Sequence, residues 1–292
     1  MRLEEYYKTV EYFFNSGYNI KIICEILGVN RSSYYKWKNR VVPKKEIQDQ
    51  ELSGLIEEYD NTYNHILGYR RMALFINHFN QNNYSIKYIR RLMIKLNIKA
   101  NIRRKRYNYV KTKPEQIGEN ILNRDFKALA PNQKWLTDVT EFKIVGQKQK
   151  LYLSAIIDLF DKSIITYKLS TKNDNKLVFD TFNEATKLYP KAKPIFHSDR
   201  GFQYTSKVFK FKLDKQGMIQ SMSRVGKCID NGPMEAFWGT LKSEMYYLNK
   251  FYTIEALKEA IEEYIKFYNN KRLQAKLKCL APMEYRNQAL LA

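Results

Sequence analysis

The first hundred residues of the chain have the apolar spacing of helices. In "YNIKIICEILGVNRSSYYKW", Asn19 can cap a helix, Gly28 can end it in a left-handed turn, and Ser32 can cap a second helix that ends near Trp37. The predicted apolar face of the first helix consists of Ile22, Ile23, Ile26 and Leu27. The pattern predicts a helix-turn-helix over residues 1–42, which could contact DNA or a protein partner, since many such hairpins bind no DNA.

A second helical unit is predicted over residues 46–110. The stretch "LGYRRMALFINHF" has helical spacing, with Gly68 near its start, and Ser85 can cap the helix "IKYIRRLMIKLNI". The inward face of that last helix is predicted to contain Ile86, Ile89, Met93 and Leu96. We interpret this unit as a second, helix-turn-helix-like DNA-binding domain.

The pattern changes after a polar stretch at residues 111–130, which we interpret as a linker. Three β-rich segments, "KWLTDVTEFKIV", "KLYLSAIIDLF" and "SIITYKLS", are joined by short turns and predict an antiparallel meander. A helix, the short strand "KPIFHSD", another helix and the strand "MIQSMS" follow, and helices are predicted over residues 233–247 and 253–269. Residues 131–292 are therefore predicted to form an α/β domain, with a mixed five-stranded sheet flanked by helices.

The positive charge of the chain predicts a polyanionic partner. The 292-residue chain has a formal net charge of +21, and eleven Lys or Arg but no Asp or Glu occur between Ile86 and Pro114. The codon bias of an AT-rich gene would spread positive charge evenly, whereas a concentrated basic stretch is typical of nucleic-acid binding. The candidate phosphate contacts are Arg90, Arg91, Arg103, Arg104, Lys105 and Arg106.

Membrane and secreted classes are disfavoured. The sequence has no apolar run near the ~18–20 residues that span a bilayer, and its first residues lack a signal-peptide core. Its three cysteines are far apart and have neither disulfide nor zinc-site spacing. We expect a cytoplasmic protein with no membrane partner.

Three carboxylates occupy positions that suggest chemistry. Asp138 lies in the middle of a predicted strand, Asp199 follows a short strand, and Glu235 opens a helix, with 60 and 35 residues between them. Such residues can converge at a sheet edge, where their mutual repulsion would favour a hard divalent cation such as Mg²⁺. Two such ions would suit phosphoryl displacement.

Ordinary structural roles are also open for these residues. Asp138 could be structural, Asp199 could form an Asx turn in "SDRG", and Glu235 could complement the helix dipole. His197 could orient a ligand, contact DNA or pack in the core. Two further acidic residues at a strand end, Asp158 and Asp161, are interpreted as turn or supporting residues.

Four segments carry a family resemblance. "WLTDVT", "HSDRGFQYTS", "SMSRVGKCIDNGPMEAFWGTLKSE" and "YNNKR…LAPMEYR" resemble the DDE transposases of the insertion-sequence-three family and, more distantly, the retroviral integrase core. "ILGVNRSSYYKW" and "GYRRM…IRRLM" resemble the helix-turn-helix regions of the same family. One departure is Gln274, where the family usually has a histidine.

The resemblance implies an RNase H-like catalytic fold and a set of roles. Asp138, Asp199 and Glu235 would be the catalytic ligands of Mg²⁺ or Mn²⁺, with two ions bound. Lys242, seven residues after the glutamate, would contact DNA, and helical spacing places both side chains on one face.

The implied function is that of a bacterial transposase. It would bind terminal inverted repeats and target DNA, cleave and join strands, and act as a homo-oligomer on DNA in the nucleoid. An upstream reading frame would supply a partner or be fused to this chain. The alternative is a non-catalytic DNA-binding repressor or structural relative. A retroviral-type integrase is disfavoured because His65 and His78 have no cysteine pair, and a structure-selective nuclease would not need the helix-turn-helix units.

Overall fold

The computed structural model describes residues 3–101, 119–224 and 228–291. The chain divides into two compact units, Met1–Glu58 and Tyr59–Ala292. The predicted basic cluster Arg103–Arg106 lies outside the described residues, as does most of the predicted linker. The predicted domain boundaries at residues 42, 46, 110 and 130 stay predictions.

The first unit contains three short helices and most of a fourth. These are α1 (Leu3–Asn15), α2 (Ile20–Leu27), α3 (Arg31–Lys38) and α4 (Lys44–Thr62), which continues past the unit boundary. Their buried core consists of Tyr7, Val10, Ile23, Cys24 and Tyr34. The predicted helix pair is present as α2 and α3, and α1 is an additional helix that the pattern did not indicate.

The ends of α2 and α3 test the capping predictions. Asn19 accepts a hydrogen bond from the Lys21 amide, and Gly28 adopts a left-handed φ of 66°, both as predicted. The prediction of Ser32 as the cap of α3 is wrong. Asn30 occupies that position and accepts from the amides of Ser32 and Ser33, because the helix begins at Arg31.

The predicted apolar face of α2 is also wrong in part. Ile23 is buried, whereas Ile22 and Ile26 are 55% and 78% exposed. These two residues are four apart and share a stripe that points away from the core, while Ile23 and Cys24 lie on the packed side.

The second unit begins with the helices α5 (Tyr69–Phe79) and α6 (Ile86–Lys95). Gly68 is the N-cap residue of α5, and the Ser85 side chain accepts from the Tyr88 amide at the start of α6, as predicted. Ile89 and Met93 are buried as predicted, but Ile86 is 49% exposed and Leu92 is fully buried instead. The first residue of α6 is therefore too close to the helix end to reach the core.

The sheet has five strands. The antiparallel meander is β1 (Lys134–Lys143), β2 (Lys150–Asp158) and β3 (Ile164–Ser170), and β4 (Ile195–Ser198) and β5 (Ile219–Met222) extend it in parallel from β1. The strand order is β3-β2-β1-β4-β5. This confirms the predicted RNase H-like mixed sheet.

Helices cover both faces of the sheet. They are α7 (Asn175–Leu188), α8 (Lys207–Lys215), α9 (Gly232–Glu244), α10 (Ile254–Asn270) and α11 (Pro282–Leu291), of which α11 was not predicted. Leu136 and Phe142 of β1 pack in the cluster that contains Phe237, Leu241 and Ile261. Trp135 packs on the other face, in a cluster with α7 and α8 residues. The period of two along β1 thus divides its side chains between two cores.

Helix α5 and the segment before it contact helices α9 and α10 directly. The ring centroids of Tyr63 and Phe267 are 5.7 Å apart, and Nη1 of Arg71 donates to Oε1 of Glu244 at 2.8 Å. These contacts attach the predicted DNA-binding helices to α9 and α10.

Candidate active site

Asp138 stands at the centre of β1, opposite Ala155 of β2. The Val139 amide donates to Oδ1 at 2.8 Å, and Nε1 of Trp238 donates to Oδ2 at 2.9 Å. Trp238 lies one helical turn after Glu235 in α9. This contact therefore ties the first turns of α9 to the strand that carries Asp138.

Asp199 lies just beyond β4, beside Asp138. Leu136 pairs with His197 in the parallel register of β1 and β4. Asp138 and Asp199 each lie two residues further along the chain from this pair. The Gly201 amide donates to Oδ1 of Asp199 at 2.9 Å. A Cβ on Gly201 would lie 3.1 Å from that oxygen and 2.9 Å from Oε1 of Gln203, so only glycine leaves this turn undisturbed.

Glu235 lies in the first turn of α9, as predicted, and is exposed. The pKa of Asp138 is raised to about 7, mainly by burial and also by the charges of Asp199 and Glu235, while the hydrogen bonds from Trp238 and Val139 act to lower it. Burial also raises the pKa of Asp199. The charges of Asp199 and Glu235 therefore oppose that of Asp138, which lies in the middle of β1.

The three carboxylates are candidate ligands for a metal ion. Within the ranges that the structure describes, no three His, Cys, Asp or Glu side chains are placed to hold one ion. The chemistry of the three carboxylates nevertheless fits Mg²⁺ or Mn²⁺, because these hard cations prefer oxygen ligands and relieve carboxylate repulsion.

Lys242 lies near the same carboxylates. Its Nζ is 5.1 Å from the centre of the Phe142 ring. Burial lowers the pKa of Lys242, while the charges of Glu141 and Asp138 act to raise it. The structure thus places this lysine beside β1, and its predicted contact with DNA stays a prediction.

His197 is a packed residue between two serines. Its Nδ1 is 2.9 Å from Oγ of Ser221, and its Nε2 is 3.0 Å from Oγ of Ser223. Burial lowers the pKa of His197 to about 4, so the ring is neutral at pH 7. Of the three roles left open by the sequence, the structure supports packing.

Asp158 and Asp161 form an internal ion cluster away from the three carboxylates. Nη1 of Arg286 donates to Oδ2 of Asp158 at 3.0 Å and to Oδ2 of Asp161 at 2.7 Å, and all three side chains are buried. Asp158 also accepts from the Phe160 amide and Asp161 from the Ser163 amide. These contacts agree with the interpretation of both aspartates as turn residues.

Glu244, at the C-terminal end of α9, is the centre of another buried cluster. Its Oε1 accepts from Arg71 and Arg272, each at 2.8 Å, and its Oε2 accepts from Tyr264 and from Nε of Arg272, each at 2.9 Å. Although burial alone would raise it, the pKa of Glu244 is lowered by the hydrogen bonds and charge of Arg272 and by Arg71. The arginines of "GYRRM" and "YNNKR" thus have a shared structural partner.

Asn231 stands at the start of α9. This residue occupies the N-cap position but makes no side-chain cap bond. Its Nδ2 points to the carbonyl of Thr137 at 3.3 Å instead. Asn231 therefore joins the helix to β1, next to Asp138.

Two supporting residues of the site were missed from the sequence. They are Trp238 and Tyr204, whose hydroxyl lies 3.2 Å from that of Thr137. Burial, with the charges of Asp138 and Asp199, raises the pKa of Tyr204 well above its usual value, so the hydroxyl stays neutral. Trp238 lies three residues after Glu235, and this spacing could have indicated its role from the sequence. No such signal in the sequence indicated Tyr204.

Arg90 and Arg91 are exposed on α6. The Arg90 guanidinium lies 5.4 Å from the ring centre of Tyr69, and that of Arg91 lies 5.1 Å from Tyr88. They are not part of the carboxylate site.

Comparisons with known proteins identify the five-stranded domain as an integrase-type core. Two family models described as "Integrase core domain" match residues 128–228 and 235–290. The putative transposase InsK for insertion sequence element IS150 of Escherichia coli K12 is 43% identical over 88% of this chain and 89% of its own length. The chain belongs to the DDE transposases of the insertion-sequence-three family.

Other relatives and solved structures are more distant or shorter. An uncharacterised transposase-like protein of Haemophilus influenzae is 43% identical over 70% of this chain and 94% of its own length. Transposase InsF for insertion sequence IS3A of Escherichia coli K12 is 27% identical over 94% of this chain and 96% of its own. The HTLV-2 integrase catalytic core in complex with magnesium is 20% identical, covers 54% of this chain and 98% of its own, and gives a TM-score of 0.42.

Among the helices of the described ranges, none combines the length and apolarity needed to cross a membrane.

Proposed function

We propose that this protein is the DNA transposase of an insertion sequence, with Asp138, Asp199 and Glu235 as its catalytic carboxylates. It cleaves phosphodiester bonds at the ends of its element and joins those ends to target DNA. The observation that carries the proposal is the electrostatic convergence of Asp199 and Glu235 on Asp138. By contrast, Glu244 accepts hydrogen bonds from Arg71 and Arg272, and its pKa is lowered.

Mg²⁺ or Mn²⁺, held as two ions by Asp138, Asp199 and Glu235, would supply Lewis-acid activation of the attacking and leaving oxygens. The protein groups around them have positioning roles. Trp238 and the Val139 amide orient Asp138, and the Gly201 amide orients Asp199. Preorganised charge of this kind is the main source of catalysis in phosphoryl transfer.

Substrates and partners follow from charge and family. The net charge of +21 favours a polyanion, and we propose terminal inverted repeats and target DNA as the ligands of a homo-oligomer. Arg90 and Arg91 on the exposed side of α6, the cluster Arg103–Arg106, and Lys242 are the proposed contacts. An upstream-frame product, separate or fused, is the proposed protein partner.

The test is a cleavage and joining assay with Mg²⁺ and duplexes that carry the ends of the element. Asp138→Asn, Asp199→Asn and Glu235→Gln should each abolish both products while DNA binding persists. Asp214→Asn is the matched control, because Asp214 pairs with Lys210 on the surface of α8. Full activity in any of the three variants would refute the triad, and an inactive wild-type chain that binds DNA would favour the repressor alternative.

A further inference from the structure

Asp230 is a fully buried carboxylate that holds two arginines. Its Oδ1 accepts from Nε of Arg124 at 2.7 Å and from Nη2 of Arg224 at 2.9 Å. Its Oδ2 accepts from Asn120 and from the amide and Nε of Arg224, each at 2.9 Å. Five donors on one carboxylate fix both guanidinium groups in place.

The two arginines remain open to solvent although their partner is not. The Arg124 and Arg224 side chains are 41% and 45% exposed, while that of Asp230 is 0% exposed. In the described part of the chain, the terminal nitrogens of Arg124 and Nη1 of Arg224 have no hydrogen-bond acceptor. Two guanidiniums and one carboxylate leave a net positive charge with N–H groups facing outward.

The arginine pair lies next to the carboxylate site. The Ser223 amide donates to the Ser198 carbonyl at 2.9 Å. Arg224 comes directly after Ser223 and Asp199 directly after Ser198, so the two residues lie on neighbouring segments of the chain. Nε of Arg200 donates to the Ser223 carbonyl at 2.7 Å. The segment with Arg124 runs beside β5, where the Leu122 amide donates to Oγ of Ser221. Both arginines are therefore at the edge of the sheet where β4 and β5 end.

The position of Arg124 and Arg224 matters for the electrostatics of the carboxylate site. The carboxylates of Asp138, Asp199 and Glu235 repel a DNA strand, and a strand can approach only where cations offset that repulsion. Arginine binds phosphate with two parallel N–H groups and stays charged at all physiological pH values. A guanidinium pair fixed by a buried carboxylate pays little entropy on binding such a group.

We propose that Arg124 and Arg224, held by Asp230, form a binding site for a backbone phosphate of the DNA strand that enters the carboxylate site. The inference rests on the proposed function and deepens it. It also accounts for "SRVGKCID" in the sequence, since Arg224 and Asp230 are the arginine and the aspartate of that stretch.

The experiment measures the salt dependence of DNA binding by the full chain without divalent metal, using a fluorescent duplex from the end of the element. Arg124→Gln and Arg224→Gln should each weaken binding roughly tenfold, as for loss of one charged hydrogen bond. Each should also reduce the slope of log K against log salt by about 0.9. Arg124→Lys should keep the slope.

The control is Lys258→Gln, which removes the same charge at the opposite edge of the sheet, beside β3. It should leave the slope nearly unchanged. Thermal unfolding of every variant separates folding from binding. A cluster with only a structural role would lower the melting temperature of Arg124→Gln and leave its slope at the wild-type value, and that result would overturn the proposal.

Cleavage by the wild-type chain with Mg²⁺ is measured in parallel. Normal cleavage with unchanged slopes would refute the phosphate site alone. Absence of cleavage by the wild-type chain would refute the proposed function. The slopes of log K against log salt would still decide whether Arg124 and Arg224 bind DNA.

Discussion

Helix α9 carries a glutamate near each end, and the two have opposite surroundings. Glu244 is buried, 8% exposed, and accepts four hydrogen bonds from Arg71, Arg272 and Tyr264. Glu235 is exposed in the first turn, where its charge adds to the repulsion on Asp138. The two residues have the same side chain and lie in the same helix, but their positions in the helix, their exposure and their long-range neighbours differ.

The difference shows how a structural carboxylate can be told from a candidate ligand. Partners supplied by the protein lower the pKa of Glu244, and its charge is satisfied without any ligand. At the other end of the helix, burial and like charges raise the pKa of Asp138 to about 7. Carboxylates whose pKa is raised by burial and by like charges are candidates for stabilisation by a metal ion.

The largest expected effect is on catalysis at the Glu235 end. Glu235→Gln should reduce Mg²⁺-dependent cleavage by about 10²- to 10³-fold or more, because loss of one preorganised charge has that size in enzymes. Its free energy of unfolding should change by less than about 0.5 kcal/mol, as at other exposed positions. Single-turnover cleavage and urea denaturation measure the two quantities, and a large loss of stability would break the comparison.

At the other end of α9 the expected effect is on stability. Glu244→Gln should lower the free energy of unfolding by about 3 kcal/mol, because it leaves the buried Arg272 without its anionic partner. Arg71→Gln should cost less, since the Arg71 side chain is 30% exposed. Urea denaturation measures both, and equal losses in the two variants would show that Arg272 is not the critical partner.

The acid dependence of stability sharpens the same comparison. The pKa of Glu244 is lower in the folded than in the unfolded protein, so its contribution is complete above the unfolded value of about 4.3 and is lost as pH falls through the folded value. Unfolding free energies measured from about pH 6 to pH 3 should fall less steeply in Glu244→Gln than in the wild type. Identical slopes would mean that Glu244 does not titrate with unfolding.

The smallest effect is expected at Trp238, which links α9 to Asp138. Trp238→Phe keeps an aromatic ring in the core but removes the donor to Oδ2, and cleavage should fall about tenfold, the value of one hydrogen bond to a charged group. The matched control is Trp135→Phe, because Nε1 of Trp135 has no hydrogen-bond partner in the described structure and its ring packs on the other face of the sheet. If both substitutions reduce cleavage equally, the loss reflects packing.

Local features of the fold were predictable from the sequence. The period of two located β1 and placed Asp138 at its centre, and Asn19, Gly28 and Ser85 marked helix ends that the structure contains. Such features depend on residues that lie within one turn or one strand of each other. They can therefore be predicted from residues that are close together in the sequence. The mistaken cap at Ser32 and the mistaken face of α2 are errors of one or two residues in that same local code.

By itself, then, the sequence predicted all five strands, most of the helices and their order, and it offered three candidate carboxylates. Only the tertiary structure decided which charges are neutralised: Arg71 reaches Glu244 from 173 positions away, and Arg124 reaches Asp230 from 106. It also turned Asn231 from its helix to Thr137. The physical reason is that an ion pair depends on distance in space, and chain topology, which no local pattern encodes, sets that distance.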